Sequence, residues 1–251
     1  LYSNYIIMII KEIKNDLPKT KPLKEKMSLY VPNINKNLPN RNGCIYAIIG
    51  SPGSGKSNLL FSTLFKNKNY YRSKFDNLYL ITPESSFLSL SKHPFQDHDK
   101  VYHDLNTLIL DDIYEEILDL KRNALDNGEE IEHSCVIIDD YADGLKDNDI
   151  ILTLKKMLIK SRHLNCFFIF TLQAYNMFPM VLRKLITNMT LFKPKNNVET
   201  ENIRSEMLNM NKDDFQELYN YVFDAPYNHM DVDTSTMDIR KNFNKLEINK
   251  K

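Results

Sequence analysis

Cys44-Ile45-Tyr46-Ala47-Ile48-Ile49-Gly50-Ser51-Pro52-Gly53-Ser54-Gly55-Lys56-Ser57-Asn58-Leu59-Leu60 contains a complete G-x-x-x-x-G-K-[ST] loop, from Gly50 to Ser57. A polyphosphate needs backbone N–H groups pointing inward around it, and glycines let the chain wrap that closely. Gly50, Ser51, Pro52, Gly53, Ser54, Gly55, Lys56, Ser57 and Asn58 are therefore the candidate phosphate-binding residues. Lys56 is expected to reach the β- and γ-phosphates of ATP, and the Ser57 hydroxyl to ligate Mg²⁺. The next helix aims its positive N-terminal end at the same charge. The flanks decide whether eight loosely specified positions mean anything. Ile45–Ile49 is apolar and reads as a buried strand, and Ser57–Phe65 reads as a helix burying Leu59, Leu60, Leu64 and Phe65. Strand, glycine loop and helix is the order the motif requires, and a plain Gly/Ser turn has no such flanks.

A second apolar run ends in acids. Ser134-Cys135-Val136-Ile137-Ile138-Asp139-Asp140-Tyr141 reads as a buried strand that delivers carboxylates at its C-terminal end. A nucleotide-bound Mg²⁺ needs such a carboxylate. Asp139 is assigned to the metal and its water shell, and Asp140 to the attacking water. Asp111 and Asp112 form a rival pair, but Leu110, Ile113, Ile117 and Leu120 continue past them at helical spacing, so a solvated helix face is expected. Asn165–Gln173 is another buried strand, ending in Thr171 and Gln173, and Gln173 is placed beside the γ-phosphate. Asn211-Lys212-Asp213-Asp214 matches the guanine-reading N-K-x-D pattern. No apolar strand leads into it, and the magnesium acid lacks a D-x-x-G, so guanine recognition is discounted.

The 251 residues suit one large α/β domain over residues 43–251, preceded by an arm or linker over 1–42. In the arm, 1–16 reads as a short helix and 17–42 as an extended Pro-, Lys- and Asn-rich segment. A 42% hydrophobic content supports a real core, while a formal net charge of zero argues for no particular partner. Charge is unevenly placed, however. Lys155, Lys156 and Lys160 in the basic block 155–195 are candidate DNA-phosphate contacts, against a plain solvated face. Cys44, Cys135 and Cys166 show no metal spacing and lie in or beside apolar strands, so buried free thiols are expected. Ile6–Ile10 is too short to span a bilayer, so no membrane association is expected. Further strands are expected at 75–83, 100–102 and 190–192. Helices are expected at 105–127, 150–161, 179–188, 198–210 and 212–221, before a final segment over 227–248.

Together these residues resemble the FtsK/HerA superfamily of DNA-pumping ATPases, and within it the poxvirus-type genome-packaging branch of large DNA viruses and virophages. The resemblance rests on four features in the family's order: Gly50–Ser57; Leu78–Pro83; Val136–Asp140; and Ser161-Arg162-His163-Leu164-Asn165 running to Thr171-Leu172-Gln173. It covers residues 42–248. It implies a RecA-like core, a largely parallel sheet with helices on both faces, in which added strand separates the loop strand from the acid strand. It also implies a homo-oligomeric ring, usually a hexamer, around double-stranded DNA. ATP would sit between subunits, and an arginine from one would complete its neighbour's site. Arg162 matches that arginine's motif, and Arg183 is the second choice. Asp140 stands where the family often has glutamate.

The function so implied is a motor that drives double-stranded viral DNA into a preformed capsid by ATP hydrolysis. Capsid proteins would be partners, and the location the host cytoplasm, a viral factory or the virion. Two alternatives use the same core. One is a helicase-like or DNA-repair or integration ATPase. The other is a nucleotide-binding assembly factor with negligible turnover.

Overall fold

The computed structural model describes residues 29–248 apart from Ser91 and Ala142. The helix expected at 1–16 lies outside the described residues. One nine-stranded sheet organises the chain, in the order β3-β2-β4-β5-β1-β6-β7-β8-β9. The strands are β1 Ile45–Ile49, β2 Asn77–Ile81, β3 Val101–Tyr102, β4 Ser134–Asp139, β5 Cys166–Leu172, β6 Asn188–Phe192, β7 His229–Asp233, β8 Asp238–Lys241 and β9 Asn244–Lys245. From β3 to β6 every pairing is parallel. From β6 to β9 each is antiparallel.

The central parallel strands are mostly apolar because both of their faces are covered. On one face Ile45, Ala47, Ile49, Val136, Ile138, Phe168 and Phe170 pack under three helices. These are α2 Thr107–Asn127, α3 Asn148–Ile159 and α6 Lys212–Val222. On the other, Tyr46, Ile48, Cys135, Ile137, Phe167 and Ile169 pack under Leu59, Leu60, Phe61 and Leu64. The three cysteines are buried and free, and burial pushes the Cys44 thiol up to about 12.

Several expected boundaries move. Residues 29–42, which composition assigns to the arm, pack on the second face through buried Val31, Ile34 and Leu38. Spaced apolar residues among prolines and lysines did not reveal this, because the segment has almost no regular structure of its own. The helix expected over 179–188 is only α4 Met180–Arg183, and Asn188 already belongs to β6. The final segment forms β7, β8 and β9, whose short runs become strands only by pairing with β6. Asp111 and Asp112 are exposed on α2, as the periodicity requires. Asn211 caps α6, its side chain accepting from the Asp214 N–H at 2.9 Å, which accounts for the N-K-x-D match.

Gly43 marks a point of close approach. Its φ is +70°, and a Cβ there would lie 2.4 Å from the Cα and the N of Arg162. The Ser161 hydroxyl donates to the Gly43 carbonyl at 2.8 Å, and the side chains of Asn42 and Asn165 pair beside it. The turn holding Arg162 is thus seated directly on the backbone leading into β1. Gly43→Ala is expected to cost about 2–4 kcal/mol, from left-handed backbone strain plus overpacking. Thermal unfolding followed by circular dichroism should show the midpoint falling by roughly 5–15 °C. An unchanged midpoint would mean that the turn does not sit on Gly43.

Candidate nucleotide site

The site forms at the C-terminal edge of the parallel strands. Gly50 leaves β1 with its N–H bonded to the Leu172 carbonyl at 3.0 Å. The loop then turns through Gly53 and Gly55, the latter at φ +108°, a conformation that strains any residue with a Cβ. The helix that follows, Asn58–Leu64, is wound in the π form, and the Phe65 N–H reaches the Leu60 carbonyl at 3.0 Å. Such widened turns recur at functional sites. Ser54 Oγ is buried without a hydrogen-bond partner, an atom that a phosphate oxygen would satisfy. Lys56 Nζ donates to the Gly50 carbonyl at 2.6 Å. Burial lowers its pKa, opposed by the Asp140 and Asp139 carboxylates.

β5 lies between β1 and β4, so the loop and the acids flank it. Asp139 is paired in register with Thr171. Thr171 Oγ1 donates to Asp139 Oδ1 at 2.5 Å, and Thr82 Oγ1, from the end of β2, donates to Oδ2 at 3.3 Å. Asp139 is only 6% exposed. Burial raises its pKa, while the Thr171 hydrogen bond pulls the other way. Asp140 sits one step further on with φ +58°, in the left-handed region. Its N–H donates to Thr171 Oγ1 at 3.0 Å. Gln173 Nε2 donates to its Oδ1 at 3.0 Å, and Ser86 Oγ to its Oδ2 at 3.2 Å.

Lys56, Ser57, Asp139, Asp140, Thr171 and Gln173 therefore line one cleft of about 190 Å³. A larger cavity of about 700 Å³ opens on the other side of the loop. Ser51–Ser54 form one wall, and Phe192, Lys193, Lys195, Tyr227 and Asn228 contribute to the rest. It contains neither acid of the cleft. Tyr227, in the lining of this cavity, has a ring that is 70% exposed. Tyr227 was not assigned to the site from the sequence, and Thr82 entered only within the run Leu78–Pro83. A threonine at the end of a buried strand was the one available signal for Thr82, and nothing local marked Tyr227.

The arginines are placed differently. Arg162 is exposed and precedes β5, whereas Gln173 follows it. A seven-residue strand separates them, about 20 Å or more of chain. Arg162 does not join its own chain's cleft. Arg183 is 12% exposed, donates to Glu206 Oε2 at 3.0 Å and stacks 4.8 Å from the Tyr175 ring centre. Two of the three candidate lysines, Lys156 in α3 and Lys160 just after it, are also engaged. Lys160 donates to the Tyr114 hydroxyl at 2.8 Å, and Lys156 lies 4.6 Å over the Tyr114 ring.

Fold and cleft together define a P-loop nucleoside triphosphatase with a RecA-like core. The chain belongs to the Poxvirus A32 protein family, whose model matches residues 35–232, and so to the viral genome-packaging branch of the FtsK/HerA ATPases. No curated protein sequence matches it significantly. Among solved structures it is similar to the DNA-packaging ATPase B204 of Sulfolobus turreted icosahedral virus, at 16% identity, 82% of this chain, 98% of that chain and a TM-score of 0.54. The genome-packaging NTPase B204 of Sulfolobus turreted icosahedral virus 2, in complex with AMPPCP, matches at 14% identity, 83% of this chain, 100% of that chain and a TM-score of 0.52. At these identities the likeness carries the fold. Among the described residues, no helix is long and apolar enough to cross a membrane.

Proposed function

We propose that this packaging ATPase works as a homo-oligomeric ring, a hexamer, that couples ATP hydrolysis to driving double-stranded DNA into a preformed capsid. The observation that carries the ring is the placement of arginine. The cleft has its lysine, its two acids and Gln173, but no arginine joins them among the lining residues. Arg162 is exposed and lies at the opposite end of β5 from Gln173, a placement that suits reach into another copy's site. Transition-state charge on the γ-phosphoryl group calls for such a cation, supplied elsewhere in trans at about 10³–10⁵ in rate.

The chemistry follows from the side chains. The loop N–H groups and the helix start bind the phosphates, and Lys56 leaves the Gly50 carbonyl to reach the β- and γ-phosphates. Asp140 accepts the proton of the water that attacks phosphorus, while the bond from phosphorus to the β-phosphate oxygen breaks and ADP leaves. Gln173, hydrogen-bonded to Asp140, is assigned to sense the γ-phosphate. The cleft suits Mg²⁺. Ser57 and Asp139 supply hard oxygen donors, and Asp139 is a buried carboxylate with no cation bonded to it among the described residues. When bound, the ion would neutralise phosphate charge. Among the described residues, no cluster of three or more His, Cys, Asp or Glu could hold a metal ion. Mg²⁺ shared with phosphates and water needs none.

Steady-state ATPase rates across protein concentrations, with and without long double-stranded DNA, test the motor. DNA should stimulate the rate, specific activity should rise with concentration, and Arg162→Ala should remove the stimulated rate. A rate independent of both DNA and concentration would mean a self-contained site, and the ring motor would be wrong.

A further inference from the structure

We infer that Asn165 and Lys121 are positioning residues that aim Arg162 at a neighbouring copy's site. This rests on the reading of Arg162 as the arginine supplied between copies. Arg162 and His163 are exposed, whereas Ser161, Leu164 and Asn165 on either side of them are buried. The turn is thus a two-residue tip on a buried base, and Leu164 belongs to the core beneath it. A cation that must meet a phosphoryl group on another chain gains from such a base. Motion of its backbone is lost alignment, and a misplacement of about 1 Å can cost about 10²-fold in rate.

Asn165 makes the base. Its φ is +51°, in the left-handed region that asparagine enters more readily than most residues. Its N–H donates to the Arg162 carbonyl at 3.3 Å, which closes the turn, and its carbonyl accepts from the Ser134 N–H at 3.0 Å. Its side chain works in both directions. Nδ2 donates to the Ile131 carbonyl at 2.9 Å, and Oδ1 accepts from Asn42 Nδ2. A primary amide holds a donor and an acceptor together, which neither an ionised carboxylate nor an apolar side chain offers. Asn42 leads into β1 and the phosphate loop, and Ile131 leads into β4 and the two acids. Lys121 of α2 adds a support from outside, its Nζ donating to the His163 carbonyl at 2.7 Å. Asn42, Lys121, Ile131 and Asn165 all lie outside the lining of the nucleotide cleft. They therefore set where Arg162 points, while the cleft of their own chain keeps its composition.

The test is the DNA-stimulated ATPase of the full chain, read as kcat and KM. Asn165→Gly, Lys121→Ala, Lys121→Arg and Arg162→Ala are each measured alone, and Asn165→Gly and Arg162→Ala also mixed with Asp140→Asn. Glycine keeps the left-handed backbone and removes both side-chain bonds. Asn165→Gly should lower kcat by about 10- to 100-fold with KM unchanged. Lys121→Ala, a surface change that leaves the core intact, should lower kcat by about two- to tenfold, the rate equivalent of one ordinary hydrogen bond. Lys121→Arg keeps a donor and should bring kcat back toward wild type. Asn165→Gly copies keep a sound site, and Asp140→Asn copies keep a well-aimed arginine. Mixing the two should therefore recover turnover above the mean of the separate proteins, as mixing Arg162→Ala with Asp140→Asn should. A wild-type kcat in Asn165→Gly or Lys121→Ala, with Arg162→Ala inactive, overturns the positioning and leaves the ring motor standing. So does recovery in the Arg162→Ala mixture with none in the Asn165→Gly mixture. Full activity of Arg162→Ala, or recovery in neither mixture, overturns both.

Discussion

Asp140→Asn should bind ATP as wild type does and lose hydrolysis by about 10²–10⁴-fold, the range that a positioned general base contributes. The substitution keeps the shape of the side chain. The amide oxygen can still accept from Gln173, and the amide nitrogen can face the Ser86 hydroxyl in place of the second carboxylate oxygen. The left-handed backbone at this position suits asparagine better than most residues. Asp139, with its Thr171 and Thr82 donors, is untouched. Only the capacity to take a proton is removed. Titration with a fluorescent ATP analogue beside a steady-state rate separates the two effects. Normal hydrolysis by this variant would move the catalytic role to another group.

Lys56→Ala should fail one step earlier, with nucleotide affinity falling by about 10²-fold, the loss of a charge-assisted contact to the phosphates. Lys56 is partly buried between the loop carbonyls and two acids, and burial lowers its pKa. Without the ammonium, Asp139 and Asp140 repel an incoming triphosphate across a small cleft. Lower affinity measured by the same titration, with the fold intact by circular dichroism, is the expected result. Unchanged affinity would mean that the backbone N–H groups of the loop carry the phosphates alone. The two variants differ in what they remove. One chain still captures nucleotide and cannot turn it over, and the other does not capture it.

Some of this was legible in the residue order, and the pattern of what was not is physical. Gly50–Ser57 could be read because every group that cradles a phosphate lies within eight consecutive residues. Asp139 and Asp140 could be read because a run of apolar residues stopping at acids is a local event. The exposed face of α2 followed from its period. In each case the forces are short-range along the chain: backbone conformation, helix periodicity and strand burial.

What the sequence by itself determined, then, is the identity of the loop, the two acids and the strand that carries them. The tertiary structure alone decided how these meet. It placed β5 between loop and acids, so that Thr171 bridges Asp139 and Asp140. It brought Ser86 to Asp140 across 54 positions and Thr82 to Asp139 across 57. It folded the residues after α6 into three antiparallel strands, and the loop before them into the wall of a second cavity. It also set Arg162 at the opposite end of β5 from Gln173. None of these depends on neighbouring residues. Each follows from which strand pairs with which, and that choice is made by burying both faces of the sheet at once.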